Sequence, residues 1–533
     1  MRLKNAVMVF VALLASGATT SFAQESHIGN LQGRASAGKA LYSRYCIGCH
    51  GPQGDGAGEN AAWVDPKPRD FTVATFKSRS TPSGTLPTDQ DLYAAITRGF
   101  VNTSMPSWKP LTNQNRADLV AYVKTFSAKW KTATPGASIA IPAEPPVKIE
   151  GILHGRELFQ KMECWKCHGP EGHGNGPAAG TLTDSKDNPI RPYNFAMGSR
   201  FKCGVSNEDL YRIFMTGLDG TPMPSFSDVF KPEEAWDLVH FLRTLQPMQT
   251  KEAEVWKQWR VSQPSMAKQL KPIGPEEAAV QGAMKAQSYI RERFRKETRM
   301  RTQRILFLVP LIALCLTMAS TAQGAGIVGG KVTIEGVPSI AKTINMSSEP
   351  GCAKMYSTPP KSEDLVVGQG GALENVVVYI SAGAPDESST PSQPVSVVQK
   401  GCRFAPHVVA MQTGQPVQMV NEDSTSHNIH PLAVNNREWN KAEPPGTSPL
   451  TESFARPEFI SVKCNVHPWM HAYFAVLKTS HYAVTGDNGA FSLNNLPPGK
   501  YTITAWHETL GTQTQEVTIT GSETVPVNFV FKR

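Results

Sequence analysis

Two short segments set a pair of thiols and an imidazole at identical spacing, Cys46-Ile47-Gly48-Cys49-His50 and Cys164-Trp165-Lys166-Cys167-His168. The pattern Cys-x-x-Cys-His is that of c-type haem attachment. Two thiols add across the vinyl groups of the porphyrin, and the adjacent His is then held under the iron as its proximal ligand. A zinc site would need two further ligands at comparable spacing, and none are nearby. The motifs lie 118 residues apart, and His50-Gly51-Pro52 recurs at that offset as His168-Gly169-Pro170. The stretch Asp91 to Trp108 likewise returns as Asp209 to Phe226, placing Met105 and Met223 each 55 residues beyond its motif His. A lone Met is usually core packing, but a repeated Met-Pro at fixed distance reads as the second axial ligand. Thioether sulfur favours reduced iron and closes a six-coordinate centre.

A different donor set stands in the last third of the chain. His427 lies in the polar stretch Asn421 to Pro431, while Cys464, His467 and Met470 follow one another at Cys-x-x-His-x-x-Met spacing. Two imidazoles, a thiolate and a weak thioether are the ligand set of a mononuclear type 1 copper site. Cys464 could instead pair with Cys352 or Cys402, although those two can pair with each other and leave it free. His407, His430 and His471 are spare candidates, more commonly surface histidines of strands and loops. Trp506-His507-Glu508 is a candidate partner surface, and Cys203 receives no role. His173, five residues past His168, reads as a loop residue because the first repeat has Asp55 there.

These groups need elements to position them. Apolar residues at three-and-four spacing enter each haem motif and close each repeat, around Ala117 to Phe126 and Ala235 to Leu245, which predicts helices flanking Gly- and Pro-rich loops. From about 326 the pattern becomes short β-branched runs with turns, which predicts a β-sandwich. Each repeat, about 30–131 and 150–247, resembles class I cytochrome c, which implies a small helical fold with its haem edge exposed for outer-sphere electron exchange. The segment Lys463 to Tyr473, with Pro468 after the second His, resembles the amicyanin branch of the cupredoxins. By that resemblance His427, Cys464 and His467 are equatorial and Met470 axial. The stretch Ala483 to Gly511 resembles the closing strands of carboxypeptidase-regulatory-like domains. The expected architecture is therefore multidomain: two all-α cytochrome c domains, a basic helical linker over 248–304, an all-β cupredoxin-like sandwich over 326–480 and closing strands over 481–533.

Length and charge agree with a chain of several parts. At about 150 residues per domain, 533 residues exceed one core. The formal net charge of +8 invites a nucleic-acid or anionic-membrane reading, yet residues 251–304 hold thirteen Lys or Arg against six Asp or Glu, so +7 of it sits there. That block runs into the apolar segment Ile305 to Ser320, which is short for a span and interrupted by Pro310. With Met300, Arg301 and Arg304 before it and Ala322 and Gly324 after it, residues 305–324 read as a second export signal or a membrane segment. The N-terminus, with Arg2, Lys4, an apolar run from Ala6 to Ala15 and small residues up to Ala23, reads as a signal peptide over 1–23. Together these suggest two exported proteins joined in one chain.

The expected function is periplasmic electron transfer through two covalent haem c groups and one copper. A dehydrogenase or quinol-oxidising complex would be donor, and a cytochrome or terminal oxidase acceptor. The enzymatic rival, a dihaem peroxidase or oxidase, needs an open iron position, whereas each haem here has its own Met. The third reading is a copper-binding β-module with no redox role. No phosphate loop, Ser/His/Asp set or nucleic-acid motif stands out.

Overall fold

The computed structural model describes residues 25–198, 201–247, 250–274, 325–336, 341–384 and 389–532. Both expected export segments, 1–23 and 305–324, lie outside them, as does Cys315.

In the first repeat the helix Ala35–Tyr45 leads into the haem motif and packs on the closing helix Asn113–Lys124. In the second, Ile149–Lys161 packs on Pro232–Thr244 in the same way. Each crossing depends on one glycine. A Cβ at Gly38 would stand 2.0 Å from the Asp118 carbonyl oxygen, and one at Gly155 would stand 2.0 Å from that of Asp237. Those contacts let backbone meet backbone, so the apolar faces behind them close without a void. Leu119 and Val120 are buried in the first repeat, and Ile152, Phe159, Trp236 and Val239 in the second.

Between them, the helices Asp89–Arg98 and Asn207–Thr216 are fixed by their ends. Thr88 and Ser206 accept from the backbone N–H of Asp91 and Asp209, whose carboxylates return to the cap residue's own N–H. This reciprocal box satisfies two donors that would otherwise lack partners. Both helices stop at a glycine in the left-handed region, Gly99 at φ +66° and Gly217 at φ +65°. The chain then turns back, and the Met-Pro segments lie directly against these glycines. An N-terminal hairpin, Glu25–Ile28 with Leu31–Arg34, covers the first repeat's closing helix and begins before the expected boundary at 30.

Past the repeats, Lys251–Ser262 and Pro264–Gln269 are helical, and 275–304 of the expected basic linker lies outside the described residues. Among the described residues no helix is long and apolar enough to cross a membrane.

The C-terminal half is β-rich. One sheet holds five strands in the order Lys441–Glu443, His427–Pro431, Glu458–Lys463, His471–Leu477 and Val408–Gln412. A second holds Leu450–Ser453, Pro416–Asn421, Val395–Gln399 and Phe404–Ala405. Buried Val397, Phe404, Met419, Ile429, Ile460 and Phe474 from both sheets form a single core. A separate core, with Val332, Val378, Leu493, Ile503 and Phe529, lies beneath two further sheets. There Gly326–Glu335 pairs with Ala490–Leu496, and Val377–Ala382 pairs with Gly499–His507. Strands on either side of residue 480 thus share sheets, an arrangement local alternation does not reveal.

Two measurements test this packing. Gly155→Ala should cost about 1–3 kcal/mol of second-repeat stability through forced separation of the helices. Gly180→Ala, where a Cβ meets nothing within 4 Å, should leave denaturant midpoints unchanged. His507 is fully buried, its Nδ1 accepts the Thr509 N–H at 3.1 Å, and its Nε2 has no partner among the described residues. Burial, then repulsion from His407, lowers its pKa to about 4. The unfolded chain therefore binds more protons than the fold between about pH 4 and 6.5, so stability falls as pH drops through that window, by on the order of 3 kcal/mol. His507→Gln should flatten the profile of stability against pH.

Candidate haem and metal centres

Each Cys-x-x-Cys-His motif forms a single helical turn, Ile47–His50 and Trp165–His168, that ends at a positive-φ glycine. Cys46, Cys49, Cys164 and Cys167 are thiols outside any disulfide. The chain then loops so that a carbonyl faces the motif imidazole. His50 Nδ1 donates to Arg69 O at 3.0 Å, and His168 Nδ1 donates to Tyr193 O at 2.9 Å. That bond fixes the ring and its tautomer, leaving Nε2 as the free donor atom. Burial, the largest influence, lowers the pKa of both rings, so both favour the neutral form that can bind iron. Phe71 stacks on His50 with centroids 4.4 Å apart, and Phe195 lies 4.8 Å from His168. Two thiols, one neutral imidazole and an aromatic wall fit a covalently held porphyrin at both places.

The two Met loops are built alike. The backbone N–H of Met105 donates to Thr103 Oγ1 at 3.1 Å, and that of Met223 to Thr221 Oγ1 at 3.2 Å. Their carbonyls accept from Phe100 and Leu218, both at 3.0 Å. His173 is half exposed and pairs with Glu171 at 3.3 Å, as a loop residue would.

Three expected donors of the C-terminal half converge. His427 Nδ1 lies 3.0 Å from His467 Nδ1, and Cys464 Sγ lies 3.9 Å and 3.8 Å from those two atoms. All three residues are buried. Met470 is buried in the same core, and its carbonyl accepts the Cys464 N–H at 3.0 Å. Cys352 and Cys402 form a disulfide, which leaves Cys464 a free thiol.

Electrostatics favour the metal-binding forms of Cys464 and His467, while His427 is held protonated and would give up its Nδ1 proton to bind a metal. Burial alone would push the Cys464 thiol up, but the His427 hydrogen bond and charge outweigh it and hold the thiol below its ordinary value. Burial, reinforced by His427 and Lys166, holds His467 well below the usual imidazole range. Burial would lower His427 too, but Asp423 and Cys464 raise it to about 9. Asp423 sets that ring's orientation. Its Oδ2 accepts from His427 Nε2 at 2.9 Å and from the Cys402 N–H at 2.7 Å, and its Oδ1 accepts from the Gly401 N–H at 2.6 Å.

The spare candidates are otherwise engaged. His430 Nε2 meets Glu438 at 3.0 Å, His471 Nε2 meets Asp364 at 2.6 Å, and His407 meets Glu508. Trp506 stacks on Phe459 with centroids 4.2 Å apart. Cys203 is buried, and Ser78 of the first repeat hydrogen-bonds to it.

Several residues that shape these sites carried no motif. Asn428 Oδ1 accepts the Asn465 N–H at 2.7 Å and lies 3.5 Å from Cys464 Sγ. Asn440 binds the same asparagines and reaches into the second repeat, its Nδ2 donating to Thr221 O at 3.0 Å. Asn428 could have been noticed as the neighbour of His427. Nothing in the spacing points to Asn440 or to Glu349, which lies 3.9 Å from His467 Nε2. The repeats also hold each other, through a buried Arg79–Asp219 pair at 2.8 Å.

The carboxypeptidase regulatory-like domain model matches residues 472–532. Among solved structures, a chain of the Kuenenia stuttgartiensis reducing HAO-like protein complex is 42% identical, covering 39% of this chain and 96% of that one, with a TM-score of 0.39. The novel purple cupredoxin from Nitrosopumilus maritimus is 19% identical, covering 16% of this chain and 99% of that one, with a TM-score of 0.14. An oxidised amicyanin variant is 13% identical, covering 19% and 98%, with a TM-score of 0.15. None of the curated proteins compared matches the chain. The cytochrome c model matches residues 35–127 and 152–246, one stretch round each Cys-x-x-Cys-His motif; these two stretches are cytochrome c domains, which imply covalent haem c.

Proposed function

We propose that this chain is a periplasmic electron-transfer protein. It carries two His/Met-ligated c-type haems and one type 1 copper, and passes single electrons from a dehydrogenase or quinol-oxidising complex to a cytochrome or terminal oxidase. The observation that carries the copper part is the convergence of His427 Nδ1, Cys464 Sγ and His467 Nδ1 within 3.9 Å in a buried pocket. A copper ion bound there would supply a one-electron couple that needs little rearrangement when it changes state. The protein's own residues do the rest. Asp423 turns Nδ1 of His427 toward the other donors, burial keeps His467 neutral, and the surrounding core keeps water away.

The two-sheet unit around this pocket would then be a cupredoxin-like sandwich, with Met470 as a fourth, weak donor. In the cytochrome domains, Cys46 and Cys49 hold one porphyrin and Cys164 and Cys167 the other. His50 and His168 would bind the irons through Nε2, and Met105 and Met223 would supply the second ligands through their thioether sulfurs. Six-coordinate irons favour outer-sphere exchange over peroxide chemistry. The two export-like segments support a periplasmic location, with membrane association through 305–320 as its natural extension.

Two variants check the cofactor assignments. In copper-loaded protein, Cys464→Ser should abolish the intense thiolate-to-copper absorption while leaving both haem spectra intact. A band that survives the change would remove Cys464 from the site. Asp423→Asn takes away the carboxylate that orients His427, so copper affinity measured by competition titration should fall roughly ten- to hundredfold. An unchanged affinity would mean the ring is held by packing alone.

A further inference from the structure

The two haem motifs differ at one position that matters. The first has Gly48 where the second has Lys166. Lys166 is only 3% exposed, and an ammonium group is not buried without partners. Its Nζ meets Glu349 Oε2 at 2.9 Å, Glu163 Oε2 at 3.3 Å and Thr425 Oγ1 at 2.6 Å. Glu349 and Thr425 belong to the β-rich half. Glu163 reaches across as well, accepting from the Ser426 N–H at 2.6 Å and from Thr425 Oγ1 at 3.0 Å. Ser426 precedes His427, and the Glu349 carboxylate stands 3.9 Å from His467 Nε2. The haem-attachment turn of the second domain therefore sits on the copper-ligand residues through a closed polar cluster.

A second contact lies on the other side of the site. Asn440, in the asparagine network beside Cys464, donates to the Thr221 carbonyl, and its own carbonyl accepts the Ser225 N–H at 2.8 Å. Thr221 and Ser225 flank Met223. The attachment turn and the Met loop of one domain thus both touch the shell of one metal site.

We propose that the second cytochrome domain is the built-in redox partner of the His427–Cys464–His467 centre, with Lys166 and Glu349 holding the two at a fixed approach and closing the His467 edge to outside proteins. This rests on the electron-transfer reading above and names the partner within it. The exchange moves one electron: ferrous haem and cupric ion give ferric haem and cuprous ion, with no proton transferred and no bond made or broken. External one-electron donor or acceptor proteins would then act at the cytochrome domains. Lys166 and Glu349 are positioning residues.

The test uses the full copper-loaded chain and a photogenerated flavin semiquinone as reductant. After the flash, haem should be reduced first. It should then reoxidise at the rate at which the copper band bleaches, and that rate should not depend on protein concentration. In Lys166→Gln, and separately in Glu349→Gln, the rate should fall about tenfold or more as the buried pairing is lost, while the static haem and copper bands stay unchanged. A wild-type rate that scales with protein concentration would overturn the proposal while leaving the cofactor reading standing. So would variants that equilibrate as fast as wild type. Absence of any copper band in the loaded wild-type chain would overturn both.

Discussion

Lys166 is a charged group enclosed between a haem-attachment turn and a β-rich domain, and it can stay there only because Glu163 and Glu349 face it. Removing a charge from water costs several kcal/mol, and partners with good geometry must repay it. The same rule governs Arg79 against Asp219, which joins the two cytochrome domains. It also governs Asp423, whose carboxylate is satisfied by two backbone N–H groups and the His427 ring. The contacts that Arg79 and Lys166 make between parts of the molecule are each built round such a satisfied polar group. These contacts specify one arrangement where apolar surfaces alone would tolerate several.

That arrangement makes ligand chemistry depend on neighbours. The haem histidines are oriented by the carbonyls of Arg69 and Tyr193, contributed by loops with no sequence signature of their own. His467 is kept neutral by burial and by the positive charges of His427 and of Lys166, the latter contributed by another domain. The Cys464 thiol is lowered because His427 is next to it, and His427 is raised because Asp423 is behind it.

Much of this was legible in the sequence for a simple reason. Covalent haem attachment demands fixed residue types at fixed spacing, as would the proposed copper ligation, so Cys46 to His50, Cys164 to His168 and Cys464 to Met470 stand out. Duplication added a second check, since a cap, a glycine stop and a Met loop recur at the same offset. What was not legible was long-range. Gly326–Glu335 pairs with strands more than 150 residues away, and β pairing leaves no trace in local alternation. Asn440 and Glu349 act through groups that only folding brings near. Lys166 stands within a haem motif, but its meaning lies in Glu349, 183 residues on.

The central claim is that three one-electron centres share this chain. A spectroelectrochemical titration of the purified full-length protein, with electrons counted per polypeptide, tests it most directly. The account predicts three electrons per chain, two following the haem bands and one following the thiolate-to-copper band. Two electrons, both assigned to haem in a sample with stoichiometric bound copper, would contradict it.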